Sequence, residues 1–142
     1  MNNIYIKYHD SNMPRLNITE VGDWIDLYSM DSIKYKQGDV FRISLGVSMR
    51  LPFGYEAHIR PRSSTFSKYG VLLTNSVGVI DNAYCGDNDI WKAEFVALRD
   101  GEIAKYDRLV QFRIFENQPR ITFLEVDYLG KNNRGGYGST GR

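Results

Sequence analysis

The sequence contains a single cysteine, Cys85, and only two histidines and four prolines among its 142 residues. One thiol cannot form an intrachain disulfide or a cysteine zinc site, so the fold has to be stabilised by its core. This use of cysteine is typical of a reducing compartment. A chain of this length forms one domain that buries roughly 68–70% of the surface of the unfolded chain. We therefore expect one domain rather than a two-domain enzyme.

The sequence also lacks an excess of either charge and any long apolar run. Its 18 Lys and Arg residues against 17 Asp and Glu residues give a net charge of +1, which implies no long-range attraction to nucleic acid. The apolar runs are far shorter than the ~18 residues of a membrane span, and the polar start MNNIYIKYHD is unlike a signal peptide. We expect a cytoplasmic protein with no nucleic-acid or membrane partner.

Aromatic residues are frequent, at 13% of the chain with ten tyrosines, which is typical of half-buried pleated surfaces. Apolar and polar residues alternate with a period of two over 55–60 and 110–114. Further strands are predicted at 4–8, 40–49, 71–80, 92–99 and 120–128, between turn signals. Only Ser63 to Tyr69 is predicted to be helical, with serines at its start that bind free backbone amides. This spacing predicts an all-β antiparallel sandwich or jelly roll.

The composition changes at residues 129–142, which contain five of the 13 glycines. Glycine loses the most backbone freedom on ordering, so we expect a flexible segment that only a ligand or a partner fixes. Fourteen residues reach at most roughly 46–50 Å, far enough to contact a neighbouring subunit. We therefore divide the chain into a β domain, 1–128, and a glycine-rich arm, 129–142.

The segment Pro61 to Thr65 carries an arginine and several hydroxyls where a strand is predicted to lead into the helix. The amino end of a helix attracts anions, and Arg62 with two or three hydroxyls adds fixed donors. This combination suits a phosphate group. The alternative is a helix cap with an arginine in a surface salt bridge.

The segment Asn75 to Gly86 is predicted to form a tight hairpin with polar side chains at fixed offsets. A hairpin presents backbone N–H and C=O groups at a spacing that suits a planar imide edge such as uracil. Gly78 permits close approach of the backbone, Asp81 can hold a water or a sugar hydroxyl, and Tyr84 can lie flat against a sugar ring. The alternative is a turn with Tyr84 in the core.

The tail from Arg134 to Gly141 offers consecutive amides, two hydroxyls, an arginine and one aromatic ring. Such a segment can wrap a polyphosphate while its ring stacks on a base. The alternative is a solvated tail without a ligand.

Together these segments resemble the trimeric deoxyuridine triphosphate nucleotidohydrolases, or dUTPases, which carry five ordered motifs. In the first, Gly22 to Leu27, only Asp26 and Leu27 match the family pattern. The other four lie at Pro61 to Ser64, Asn75 to Gly86, Arg108 to Gln111, and Gly135 to Gly141. Their order and spacing cover residues 22–141, nearly the whole chain.

The resemblance implies a jelly-roll or distorted β-barrel homotrimer whose active sites are each built from more than one subunit, the arm closing over a neighbour's site. It implies cleavage of dUTP to dUMP and pyrophosphate with Mg²⁺. Asp81 is then expected to orient the water that attacks the α-phosphorus, and Asp26 to bind Mg²⁺ through water. The substrate-binding residues are expected to be Arg62, Ser63, Ser64 and Gln111 for the phosphates, Asn75, Gly78, Val79 and Ile80 for uracil, Tyr84 for the sugar, and Arg134, Tyr137, Gly138, Ser139 and Thr140 in the arm.

The chain departs from the family pattern at three places. Tyr137 replaces the usual phenylalanine of the arm, and Arg134 stands three residues before it, whereas the family arginine stands five before, where this chain has Asn132. The segment after the third motif, 87–92, is lengthened. Within it, Trp91 is a candidate for base stacking and Lys92 for a phosphate contact, the alternative being a buried Trp91 and a solvated Lys92.

Two other functions are compatible with these departures. A nucleotide-binding module could keep the dUTP pocket without turnover and act by contacting a partner protein. A dCTP deaminase shares the jelly roll but requires a glutamate for proton transfer, whereas the hairpin here carries Asp81.

Overall fold

The computed structural model of the chain describes residues 2–138. Within this range the chain forms eleven strands and one short helix, and every strand pair is antiparallel. The elements are β1 Tyr5–Tyr8, β2 Ile25–Tyr28, β3 Ile33–Tyr35, β4 Val40–Ser44, β5 Val47–Arg50, β6 Tyr55–Pro61, α1 Thr65–Tyr69, β7 Val71–Leu73, β8 Gly78–Ile80, β9 Lys92–Ala97, β10 Gly101–Ile103 and β11 Arg108–Glu116. The prediction of an all-β antiparallel protein is confirmed.

Two larger sheets and two ribbons enclose a single core. One sheet has the strand order β2-β11-β6-β8 and the other β4-β9-β7, while β1 pairs with β5 and β10 with β3. Successive side chains of β11 point to opposite faces of the sheet. Val110 and Phe112 therefore point into the core, whereas Gln111 and Arg113 point outward. The large core residue Trp91 packs edge-on against Phe112, with ring centroids 5.2 Å apart.

Four details differ from the sequence-based prediction. The predicted strands 40–49 and 71–80 are each divided in two by a turn, and β2, β3 and β10 were missed because they are only three or four residues long. The prediction of a strand at 120–128 is wrong for the single chain. Its apolar side chains are exposed, including Phe123 at 91% and Leu124 at 81%. Among the described residues this segment has no strand to pair with, and an unpaired extended segment is not a β-strand.

The cap of α1 also differs from the prediction. Ser64 is the N-cap residue but makes no side-chain cap hydrogen bond. The hydroxyl of Thr65 accepts from the backbone N–H of Arg62 at 2.8 Å and donates to the carbonyl of Leu109 at 2.9 Å. Thr65 therefore ties the start of the helix to β11 and leaves the two serine hydroxyls uncommitted. No helix within residues 2–138 has the length and apolar character needed to cross a membrane.

Candidate active site

One polar cluster lies at the β2 edge of the four-stranded sheet. The Arg62 Nε donates to Asp26 Oδ1 at 3.0 Å, and an Arg108 nitrogen lies 3.9 Å from Asp26 Oδ2. These side chains line a cavity of about 460 Å³ together with Ser63 and Gln111. Two guanidinium groups, a serine hydroxyl and an amide facing one cavity form a favourable site for a polyphosphate. We call this group the phosphate cluster.

The fold brings the phosphate cluster together by strand register. Gln111 of β11 lies opposite Asp26 of β2 on one side and Arg60 of β6 on the other. Its side-chain amide donates to the carbonyl of Pro61 at 3.1 Å, which holds the end of β6 beside β11. A bulge between Arg108 and Val110 turns Arg108 toward the same cavity. Arg108 was not among the predicted site residues, although it lies in the fourth motif.

A second polar group lies at the opposite edge of the same sheet, on the segment 75–86 that contains β8, which we call the β8 segment. The prediction of a tight hairpin here is wrong, because β8 pairs with β6, whereas β7 and β9 pair with each other in the other sheet. Because β8 is an edge strand that pairs only with β6, its outer backbone N–H and C=O groups have no strand partner among residues 2–138. Those are the groups that the prediction assigned to uracil, in Gly78, Val79 and Ile80. A Cβ atom at Gly78 would lie 3.2 Å from Ile59 Cβ. Glycine therefore also allows β8 to pack closely against β6 at this position.

Asn75, Tyr84 and Lys92 line one cavity beside the β8 segment, together with Arg42 and Glu94. Arg42 donates to Glu94 at 2.9 Å, and this hydrogen bond holds the pKa of Glu94 below its usual range. Because Glu94 pairs with Arg42, Lys92 has no ion-pair partner within residues 2–138. Lys92 is exposed, as in the solvated alternative, and it also lines the cavity that contains Asp81.

Asp81 is exposed immediately after β8 and lines two cavities. The larger, of about 860 Å³, is also lined by Glu56 and His58. His58 Nε2 lies 2.6 Å from Glu56 Oε2, and its ring stacks on Phe115 with centroids 4.3 Å apart. Neither Glu56 nor His58 is among the predicted site residues. The period of two along β6 places both on its outer face, and this was the signal that could have identified them.

The interpretation of Trp91 as a base-stacking residue is wrong. Its side chain has no exposed surface, and its backbone is fixed between β4 and β5, because Trp91 N donates to Val47 O and Trp91 O accepts from Leu45 N, both at 2.8 Å. A ring packed on all sides cannot stack on a ligand. The buried alternative is the observed state.

The described part of the arm lies away from both polar groups. Its segment 129–138 is exposed, and residues 118–138 form no hydrogen bond to residues 2–117. Arg134, Tyr137 and Gly138 line none of the cavities described above. Ser139 and Thr140 lie outside the described residues.

The two polar groups are far apart within one chain. Asp26 and β8 stand on opposite edges of a four-stranded sheet, which is roughly 14 Å across, at three strand spacings. In the strand register, Asp26 of β2 aligns with Arg60 of β6 through Gln111, whereas Ile80 of β8 aligns with Ala57 of β6. Asp81 comes directly after Ile80 and so lies one residue further from Arg60 along the sheet. The offset along the strands adds about 13 Å. The phosphate cluster and Asp81 thus occupy diagonal corners of one outer face.

The sequence of the chain matches a known protein family. The sequence profile of the dUTPase family matches residues 22–141. The SPbeta prophage-derived deoxyuridine 5′-triphosphate nucleotidohydrolase YosS of Bacillus subtilis is 51% identical over 138 residues, which is 97% of both chains. The deoxyuridine 5′-triphosphate nucleotidohydrolase of Finegoldia magna is 36% identical over 92% of this chain and 94% of its own.

Solved structures show the same fold. A mutant dUTPase of Staphylococcus bacteriophage 80alpha with dUpNHpp superposes with a TM-score of 0.80 over 100% of both chains, at 17% identity. A mutant dUTPase from phage phi11 of S. aureus, described as coordinating a structural Mg(II) ion, has a TM-score of 0.76 over 90% of this chain and 99% of its own, at 15% identity. At these identities the likeness concerns the fold alone.

Proposed function

This chain belongs to the dUTPase family, and we propose that it hydrolyses dUTP to dUMP and pyrophosphate with Mg²⁺. The observation that carries the proposal is the combination of one edge-strand segment bearing Asp81 and Tyr84 with a separate cluster of Asp26, Arg62 and Gln111. The first offers groups for a nucleoside and the second offers groups for phosphates. Pyrophosphate release from dUTP in the presence of Mg²⁺ tests it directly.

The β8 segment supplies the base, sugar and water contacts in this proposal. The unpaired edge of β8 reads the donor and acceptor groups of uracil, with Asn75 beside it. Tyr84 lies against the deoxyribose. Asp81 orients a water toward the α-phosphorus and accepts the sugar 3′-hydroxyl. A carboxylate is a weak base, so the contribution of Asp81 is mainly the placement of that water.

The phosphate cluster supplies electrostatic stabilisation. Arg62, Gln111 and the uncommitted hydroxyls of Ser63 and Ser64 hold the triphosphate, and Lys92 adds positive charge on the nucleoside side. Breakdown at the α-phosphorus places growing negative charge on the leaving pyrophosphate. Fixed cationic donors lower the barrier because they are in position before that charge develops.

The residues present fit a magnesium ion that is held by the substrate rather than by the protein. Asp26 is already engaged by Arg62 and Arg108, and residues 2–138 contain no group of three or more His, Cys, Asp or Glu side chains able to hold a metal. One carboxylate in this setting suits contact through water. When bound to the triphosphate, Mg²⁺ offsets charge on the phosphate oxygens.

This arrangement predicts a specific response to chelation. Excess EDTA is expected to abolish pyrophosphate release while leaving the melting temperature of the substrate-free protein within about 2 °C, because an ion that the free protein does not bind cannot stabilise it. Activity assays with and without EDTA check the loss of pyrophosphate release, and thermal melts check the unchanged melting temperature. A large fall in melting temperature would instead show a metal held by protein groups.

A homotrimer is part of the proposal, because one chain cannot place both groups on one nucleotide. Asp81 and the phosphate cluster are separated by close to 20 Å on the outer face of the sheet, by the strand spacings above. A second copy can present its phosphate cluster to the β8 segment of the first. Exposed apolar side chains at 121–129, such as Phe123, Leu124 and Leu129, provide surface that an assembly can bury. The arm of a further copy then closes the site with Tyr137, Gly138, Ser139, Thr140 and Arg134.

Base selectivity gives a further expected result. If an edge strand reads uracil, a 5-methyl group is rejected by its size and an exocyclic amine by mismatched donors and acceptors, at ~1–3 kcal/mol for each buried group left unpaired. The values of kcat/KM for dTTP and dCTP should therefore lie well below that for dUTP. Comparable values for the three nucleotides would contradict this role of β8.

The alternative of a binding module without turnover is separable by experiment. The altered first motif and the displaced Arg134 are the features that favour it. Tight dUTP binding without pyrophosphate release in Mg²⁺ would support that alternative. Ammonia release from dCTP would instead indicate a deaminase.

A further inference from the structure

The lengthened segment that follows Tyr84 forms a closed turn between Gly86 and Ile90. Asp89 Oδ2 accepts from the backbone N–H of Gly86 at 2.8 Å, and the N–H of Asp89 donates to the carbonyl of Gly86 at 3.1 Å. A Cβ atom at Gly86 would lie 2.9 Å from the same carboxylate oxygen. The carboxylate therefore packs directly against Gly86, and the two hydrogen bonds between Gly86 and Asp89 close the turn.

The turn is fixed to the body of the domain on its far side. The carbonyl of Asp89 accepts from Ser48 Oγ at 2.9 Å, and that hydroxyl also lies 2.8 Å from His9 Nε2. Trp91, two residues after Asp89, is fully buried, and its backbone N–H donates to the carbonyl of Val47. The turn consequently cannot move without disturbing β5 and the core.

The Gly86–Ile90 turn also holds the ring of Tyr84 in place. The Tyr84 hydroxyl donates to the carbonyl of Ile90 at 3.0 Å, while its backbone N–H donates to the carbonyl of Asp81 at 3.0 Å. The side chain is 37% exposed, so packing alone does not immobilise it. Its hydroxyl is committed to the turn rather than to a ligand, and the ring is fixed at both ends across the mouth of the cavity that also contains Asp81 and Lys92.

We propose that the Gly86–Ile90 turn, closed by Asp89, determines the selectivity of this enzyme for deoxyribonucleotides over ribonucleotides by holding the Tyr84 ring in place. Asp89 is then a positioning residue. The inference rests on the proposed contact between Tyr84 and the sugar. A ring excludes the extra 2′-hydroxyl of a ribonucleotide only if it cannot retreat, because a mobile ring makes room for one additional oxygen.

The test compares kcat/KM for dUTP and UTP in the full-length protein. Asp89→Ala removes the acceptor for Gly86 and should raise the ratio of UTP to dUTP turnover by about tenfold or more, within the range for recognition of one small group. Asp89→Asn keeps an oxygen acceptor and should retain most of the discrimination. Tyr84→Phe keeps the ring but loses the bond to Ile90, so it should relax selectivity in the same direction as Asp89→Ala.

Asp87→Ala is the matched control, since Asp87 is an exposed aspartate of the same segment whose side chain makes no hydrogen bond within residues 2–138. It should leave the ratio unchanged. An equal fall for both nucleotides in Asp89→Ala and Tyr84→Phe, with the ratio intact, would overturn the inference and leave the turn a structural element. If Asp89→Ala fails to fold, the ratio of UTP to dUTP turnover in Tyr84→Phe tests the inference instead. A wild-type protein that hydrolyses dUTP and UTP alike would instead refute the proposed role of Tyr84 itself.

Discussion

Replacing Asp81 with asparagine is expected to lower kcat for dUTP by at least ~10²-fold, the lower end of the range for a positioned acid–base group. The amide has the shape of the carboxylate but lacks the negative charge that orients and polarises the water. Substrate binding should weaken much less, because the base and phosphate contacts lie on other residues. Pyrophosphate release at saturating dUTP measures kcat, and calorimetric titration with dUTP in the inactive variant measures binding.

Asp87→Asn provides the control for this substitution. It makes the same change of charge six residues further along the chain, on an exposed side chain outside the two cavities that Asp81 lines. Its kcat should remain near that of the wild type. An Asp81→Asn variant that keeps full kcat would remove Asp81 from the mechanism and shift attention to the Glu56 and His58 pair in the same cavity.

The residues of the site could be predicted from the sequence where a motif keeps them close together in the chain. Both Pro61 to Ser64 and Asn75 to Gly86 are continuous segments, of which the first begins at the end of β6 and the second contains all of β8. The joining of Asp26, Arg62 and Gln111 into one cluster depends on the register of β2, β11 and β6. In the chain, Gln111 is 85 residues from Asp26 and 51 residues from Arg60, and a single sequence does not reveal the register of such distant strands.

The errors have a common physical origin, which is that burial depends on partners distant in sequence. Trp91 lies in the largely polar segment 87–92 and is a candidate ligand contact by sequence, but β5 and Phe112 enclose it. The strand predicted at 120–128 has the right composition but no partner strand among the described residues. His58 is not among the predicted site residues, yet its ring stacks on the distant Phe115 in a cavity shared with Asp81.

Deleting residues 130–142 is expected to lower kcat/KM by roughly 10²-fold or more while changing the melting temperature by less than about 2 °C. The described part of this segment, 130–138, is exposed and forms no hydrogen bond to the β domain within residues 2–138, so its removal exposes no core. Without Tyr137, Ser139 and Thr140, the triphosphate stays solvated and adopts poses in which the α-phosphorus is not in line with the water at Asp81. Steady-state kinetics and thermal melts of the truncated protein check both expectations.

Mixing two inactive proteins tests whether the arm closes a neighbour's site. Truncated subunits retain Asp81 but lack the arm, whereas full-length Asp81→Asn subunits retain the arm but lack the carboxylate. If one site takes its arm from another chain, subunit exchange places an intact Asp81 beside an intact arm and restores part of the activity. A mixture of truncated subunits with truncated Asp81→Asn subunits is the control and should remain inactive, because no arm is present. Absence of recovery after verified exchange would show that each arm serves the site of its own chain. That arrangement is the less favourable one, because Arg134 and Tyr137 do not line the cavities of their own chain.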